Sequence, residues 1–212
     1  MGIYIETVIL YILLFFSSTA VLFTAAASAA AEFSVLQELQ KIILFTIPAL
    51  ALIWYLVNKA QMIEIWIIRP GKKDLKSALL TFPFLLLTGS VVSMASLLFE
   101  GSPGQLFYYS PSTGLDWIVI CISCILSAYL EESFFRFYIL TKREKLNLTA
   151  PSALILSTLM FAFCHIGAGP WGFLNAAISG AFFGFMFLRY NSLHGIAIAH
   201  ALYNITAVFL NV

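Results

Sequence analysis

Residues 117–140 read Trp117-Ile-Val-Ile-Cys-Ile-Ser-Cys-Ile-Leu-Ser-Ala-Tyr-Leu-Glu131-Glu132-Ser-Phe-Phe-Arg136-Phe-Tyr-Ile-Leu140. A helix that crosses a bilayer needs about 20 mostly apolar residues, and this stretch supplies them. It nevertheless carries two carboxylates and a guanidinium in its second half. Each ionisable group at that depth costs about 2.5–3.5 kcal/mol on insertion scales, which makes it a functional-site candidate by default. The stretch therefore predicts a membrane-spanning helix with chemistry inside it.

The rest of the chain has the same character. Of 212 residues, 61% are hydrophobic and 10% charged, whereas soluble domains carry roughly 25% charged residues. Seven apolar segments separate at polar punctuation: Val8–Ala30, Lys41–Val57, Ser77–Phe99, Trp117–Leu140, Ala153–Ile166, Trp171–Leu188 and Leu193–Asn211. The expected class is all-α, a polytopic integral membrane protein with about seven transmembrane helices. It forms a single membrane domain over 1–212, with N-terminal helices in 1–116 and a catalytic helix core in 117–211. The second segment can extend back through Val35-Leu36-Gln37-Glu38, and the fifth opens at Pro151, a favoured first-turn residue. Pro48 and Pro83 are expected to kink their helices. Arg69-Pro70-Gly71, Gly101-Ser-Pro-Gly104 and Gly167-Ala-Gly-Pro170 carry turn chemistry.

The net charge of +1 argues against a nucleic-acid partner. Cys121, Cys124 and Cys164 lie in apolar segments and read as small buried hydrophobes. Ala25–Ala31 resembles the small-residue end of a signal peptide, but Met1–Glu6 has no Lys or Arg, so a retained helix is expected. Lys59, Arg69, Lys72, Lys73 and Lys76 share one loop, Lys142, Arg143 and Lys145 another, and Arg189 borders a third. By the positive-inside rule these loops are cytoplasmic, which places the N-terminus inside and the C-terminus outside.

Helical geometry divides the polar residues by role. Glu132 and Arg136 are one turn apart and can neutralise each other. Glu131 is rotated about 100° away, on a face with Ser127, Phe134, Phe135 and Tyr138 and no basic residue, so it is the carboxylate left for chemistry. At about 1.5 Å per residue, Glu131 lies roughly 16 Å from Lys142, His165 roughly 21 Å from Pro151, His200 roughly 10 Å from Leu193 and Asn204 roughly 16 Å from it. Three helices thus offer polar groups at similar depth. His165, with Phe161 one turn earlier, is placed to hold a water against Glu131. His200 and Asn204 share one helix face and can present donors to a developing oxyanion.

Blander readings exist for each residue alone. An intramembrane His or Asn is often packing glue, and His194, at a loop edge, is expected to be solvated. Gly180-x-x-x-Gly184 reads as a helix-packing face, and the 20 phenylalanines as largely lipid-facing filler. The extra carboxylate is what simple packing does not require.

Glu131-Glu132-x-x-x-Arg136, Phe161-x-x-x-His165 and His200-x-x-x-Asn204, in that order on successive helices, resemble the signature of the CPBP family. These are the CAAX-protease and bacteriocin-processing, or Abi, intramembrane endopeptidases; the resemblance covers about Trp117 to Asn211. It implies peptide-bond hydrolysis by an activated water, with Glu131 and His165 activating it and His200 and Asn204 stabilising the oxyanion. Glu132 and Arg136 are then supporting. Two histidines with glutamates offer zinc as an alternative. However, no His-Glu-x-x-His occurs and Asn is a poor zinc ligand, so no metal and no other cofactor is expected. The partners expected are the lipid bilayer and a membrane-associated peptide or protein substrate, in a bacterial cell membrane. Two other functions fit membrane helices with buried charge. One is a proton-coupled carrier, which the lack of an inverted repeat disfavours. The other is a catalytically silent scaffold or immunity protein.

Overall fold

The computed structural model describes residues 2–20, 33–59, 71–100 and 111–210, with side chains of the first stretch described as far as Phe15. Seven helical rods run through them: α1 Gly2–Ala20, α2 Val35–Lys59, α3 Lys72–Glu100, α4 Gly114–Thr141, α5 Ala150–Cys164, α6 Gly169–Tyr190 and α7 Leu193–Leu210. No strand occurs among the described residues. Five rods are long and apolar enough to cross a membrane: α2, α3, α4, α7, and α6 with the turn before it. The described apolar part of α1 and the whole of α5 are shorter. The chain is an all-α integral membrane protein. The Ala25–Ala31 tract, Arg69-Pro70, Gly101-Ser-Pro-Gly104 and Asn211 lie outside the described residues.

The outer surface is that of a protein solvated by lipid. Leu44, Leu98, Phe99, Leu79 and Phe209 are exposed, while Ser77, Thr81, Ser96 and Asp74 are buried. On α3 the usual amphipathicity is reversed: small polar residues face the bundle and large apolar ones face outward. Without a hydrophobic drive between helices in lipid, close packing of small residues and internal hydrogen bonds hold such faces together.

The caps explain most boundaries. Ser34 caps α2 by accepting from the Gln37 N–H, so the second helix does begin at Val35. Thr113 and Asp116 form a reciprocal capping box at the start of α4. Thr149 caps α5 with Pro151 in its first turn. Asn191, at φ 48°, ends α6 in the left-handed conformation and lets the chain enter α7 two residues later. Pro48 stands just after a π turn over Ile42–Thr46, where the wider winding accommodates a residue that has no N–H to donate.

The second half of α4 is the centre of the bundle. Glu132 through Leu140 are nine consecutive buried residues, so no face of this segment meets lipid. Helices α1, α2, α5, α6 and α7 surround it. Within it, Ser133–Tyr138 winds as a π-helix, a form that recurs as single turns at functional sites. Nothing in the apolar pattern foretold that widening.

α1 braces this segment from behind. Phe15 stacks at 4.7 Å and 5.2 Å from Phe135 and Phe134, and the Tyr11 hydroxyl donates to the Met160 carbonyl of α5 at 3.1 Å. At the end of α4, Glu6 accepts from Tyr138 and pairs with Lys142 at 3.0 Å. Lys142 is buried, its ammonium 3.8 Å from the Tyr138 ring centre, and is not the solvated loop cation its position in the sequence implied.

Three further expectations need correction. His165 is not inside a helix: α5 ends at Cys164, and His165 is its C-cap, followed by a single 3-10 turn and Gly169 at φ 77°. Gly167 and Gly169 favour that stop over continuation to Ile166. His194 is half-buried rather than solvated, with Nδ1 3.0 Å from the Tyr129 hydroxyl, because the α4–α7 packing carries it inward. The phenylalanines divide: Phe99, Phe163, Phe185 and Phe209 face lipid, but Phe134, Phe135, Phe137, Phe161, Phe183 and Phe187 form the core.

Candidate active site

Glu131 and Glu132 end the regular part of α4, at the junction with the π-helix. Arg136, four residues on, is fully buried and donates from Nη1 to Glu132 Oε1 at 3.3 Å. Its Nη2 donates to the Gly180 carbonyl of α6 at 3.1 Å. The guanidinium lies between two rings, 4.3 Å from the Phe161 centre and 5.1 Å from that of Phe183. A desolvated cation–π contact of this kind contributes about 2 kcal/mol. Carboxylate, carbonyl and two aromatic faces together replace the water that Arg136 lost on burial.

α7 brings His200 to the same point. Its Nδ1 is 2.9 Å from Glu132 Oε1, and its Nε2 is 3.9 Å from Glu131 Oε2. One imidazole thus serves both carboxylates, because its two nitrogens lie on opposite edges of the ring. Glu131 has no basic residue on its own helix face, and the basic group nearest its carboxylate comes from α7. Phe183 lies 4.8 Å from the His200 ring centre and Phe161 5.9 Å, edge-on. The two glutamates differ in access: the Glu132 side chain is wholly sealed, whereas that of Glu131 is 21% exposed.

His165 joins through Phe161. The two ring centres are 4.6 Å apart, and His165 Nδ1 is 2.9 Å from the Phe161 carbonyl. A carbonyl only accepts, so Nδ1 is the donor in this contact. Asn204 lies one turn beyond His200 on α7 and is half-buried. Phe161 is therefore the hinge of the arrangement, touching His165, His200 and Arg136 at once.

Several polar atoms here have no hydrogen-bond partner among the described residues: Glu131 Oε2, Glu132 Oε2, Ser133 Oγ, Arg136 Nε and Ser179 Oγ. A catalytic zinc takes three protein ligands. Among the described residues no three His, Cys, Asp or Glu side chains converge closely enough to supply that set.

The family model for Type II CAAX prenyl endopeptidase Rce1-like proteins matches residues 113–206, from the cap of α4 to within one turn of the end of α7. Over residues 113–206, a little under half of its length, the chain is similar to that family. The matched stretch holds Glu131, Glu132, Arg136, Phe161, His165, His200 and Asn204, which agrees with the CPBP resemblance drawn from those residues. The match supports, at the level of the family, an intramembrane protease of the general CAAX type. No curated protein and no solved structure matches the chain.

Reading the sequence missed three parts of this site. Gly180 was assigned to helix packing, but its carbonyl holds Arg136 and its missing side chain leaves room for Phe161. Phe183 was one ring among twenty. The π-helix had no signal, since the spacing from Glu132 to Arg136 reads the same in either winding.

Proposed function

We propose that this protease hydrolyses a peptide bond in a membrane-associated peptide or protein by a water that Glu131 activates. The observation that carries the reading is the contrast between the two glutamates. Glu132 is sealed by Arg136 and His200, whereas the Glu131 side chain is 21% exposed.

In the proposed route Glu131 takes one proton from water as the hydroxide oxygen bonds to the scissile carbonyl carbon. His165, its Nδ1 tied to the Phe161 carbonyl, offers Nε2 as a second acceptor to orient that water. The carbonyl electron pair moves onto oxygen, where His200 and Asn204 stabilise it as donors. Collapse breaks the C–N bond, and Glu131 returns its proton to the leaving amine. The proposed route is written without a metal.

Substrate classes consistent with a site inside the bilayer are lipidated C-termini, leader-bearing peptide precursors and membrane-anchored regulators. The cations support a cytoplasmic opening. Lys73 donates to the Asn191 carbonyl at 3.1 Å, and Lys76 lies over Tyr190, which brings the Lys72–Lys76 and Arg189 groups to one end of the bundle. Residues 117–211 form the catalytic core in this reading, and among the described residues of the N-terminal part α1 braces it.

Liposomes holding purified full-length protein test the proposal. They are presented with a farnesylated CAAX-type peptide, an unlipidated leader peptide and a membrane-anchored peptide. Cleavage of any of the three that is lost in Glu131→Ala supports it. Cleavage that persists in Glu131→Ala, or proton-coupled solute flux without cleavage, overturns it.

A further inference from the structure

The paired salt bridge of Glu132 and Arg136 makes the second glutamate look like a counter-charge and no more. The geometry gives it a second task. Glu132 Oε1 accepts from Arg136 Nη1 at 3.3 Å and also faces His200 Nδ1 at 2.9 Å, the shorter contact of the two. A carboxylate wedged against an imidazole nitrogen requires the hydrogen to be on that nitrogen, because an ionised carboxylate only accepts. Both groups are buried, His200 at 4% exposure and Glu132 at 0%, so no solvent competes for that hydrogen.

With Nδ1 committed to Glu132, the other ring nitrogen, Nε2, is the one that faces Glu131 Oε2, 3.9 Å away. Besides the two glutamates of α4, the groups facing the imidazole from other helices are the Phe161 and Phe183 rings, which have no ionisable proton.

We infer that Glu132 is a positioning residue: it fixes the His200 proton on Nδ1, so that Nε2 is the nitrogen that meets Glu131 and the substrate. This rests on the hydrolytic reading proposed above and assigns Glu132 a part in it beyond neutralising Arg136. The step moves one proton and no electrons: it leaves water for Glu131 and passes to the amine, and His200 ends the cycle as it began.

Two measurements on the full-length protein in lipid test it. The first needs no substrate: nitrogen-15 NMR of histidine-labelled protein, with His200 assigned by difference from His200→Gln. The wild type should show Nδ1 protonated and hydrogen-bonded. A wild-type His200 with a bare Nδ1 overturns the inference whatever the variants do. The second uses cleavage of the farnesylated CAAX-type peptide. Glu132→Met/Arg136→Met removes both charges and should fold, since apolar replacement of a buried ion pair is often neutral. If Glu132 only balances Arg136, this double variant recovers wild-type kcat, and the inference fails. If Glu132 orients His200, kcat stays down by about 10³–10⁴-fold with KM little changed, as when a histidine loses its orienting carboxylate. Glu132→Gln/Arg136→Met, whose amide oxygen still accepts from Nδ1, should recover part of that loss. Persistent turnover in Glu131→Ala would instead defeat the hydrolytic reading and leave the His200 spectrum as it is, so the two failures are distinguishable.

Discussion

Gly180→Ala should damage the chemistry more than the fold. A Cβ at position 180 would stand 2.9 Å from Phe161 Cδ1 and 3.2 Å from Arg136 Nη2, against an ordinary contact of 3.4–4 Å. Neither neighbour can retreat freely. Phe161 is hemmed by Phe135 at 5.4 Å, Phe183 at 6.2 Å and His165 at 4.6 Å between ring centres. Arg136 is tied to Glu132 and to the carbonyl of Gly180 itself. The half-ångström overlap must therefore pass to the rings and charges that place His165 and His200. Overpacking of this size costs about 1–3 kcal/mol in stability. A displacement of several tenths of an ångström at the reacting groups should lower kcat by roughly 10- to 100-fold. Gly184→Ala is the control. Its Cβ would meet Leu154 Cδ1 at 2.2 Å, a closer clash but with the far end of a half-buried side chain that can rotate away. Thermal unfolding in detergent and cleavage of a membrane peptide, normalised to folded protein, compare the two. Equal loss of activity per folded molecule in both variants would refute the assignment of Gly180 to the site.

Other outcomes follow from the same geometry. Glu131→Ala should abolish turnover with melting nearly unchanged, while Glu132→Ala strands Arg136 and should cost about 3–5 kcal/mol as well; matched melting of the two variants would contradict this. Tyr11→Phe removes the donor to the Met160 carbonyl and should destabilise by about 0.5–1.5 kcal/mol; an unchanged unfolding midpoint would show that α1 does not brace α5 through that hydroxyl. Single cysteines placed in the 58–76 segment of a protein lacking the native three should resist an impermeant label added outside intact cells, and labelling there would reverse the proposed orientation. Protein stripped by a strong chelator and verified metal-free should still cleave its substrate; activity that vanishes and returns with zinc would restore the metal alternative.

What the sequence determined is whatever depends on period, composition and order along one helix. Apolar runs of about 20 residues can only be satisfied in lipid as helices, so the all-α membrane class was legible without coordinates. The start of α5 near Pro151 was legible because first-turn preference is local chemistry. The Glu132–Arg136 pair was legible for the same reason, since residues one turn apart must meet.

Tertiary structure decided everything that depends on which helix lies beside which. His200 came to rest between both glutamates because α4 and α7 pack together, and an imidazole has nitrogens on two edges. The inward phenylalanines differ from the lipid-facing ones only in which side of a helix meets a neighbour, which composition does not record. Gly180 became part of the site because α6 passes Arg136 closely enough for its carbonyl to accept. The π-helix at Ser133–Tyr138 and the early stop of α5 at Cys164 are choices of backbone winding. Hydrogen-bond and packing energies across the bundle settle such choices, because local residue preferences differ too little to do so.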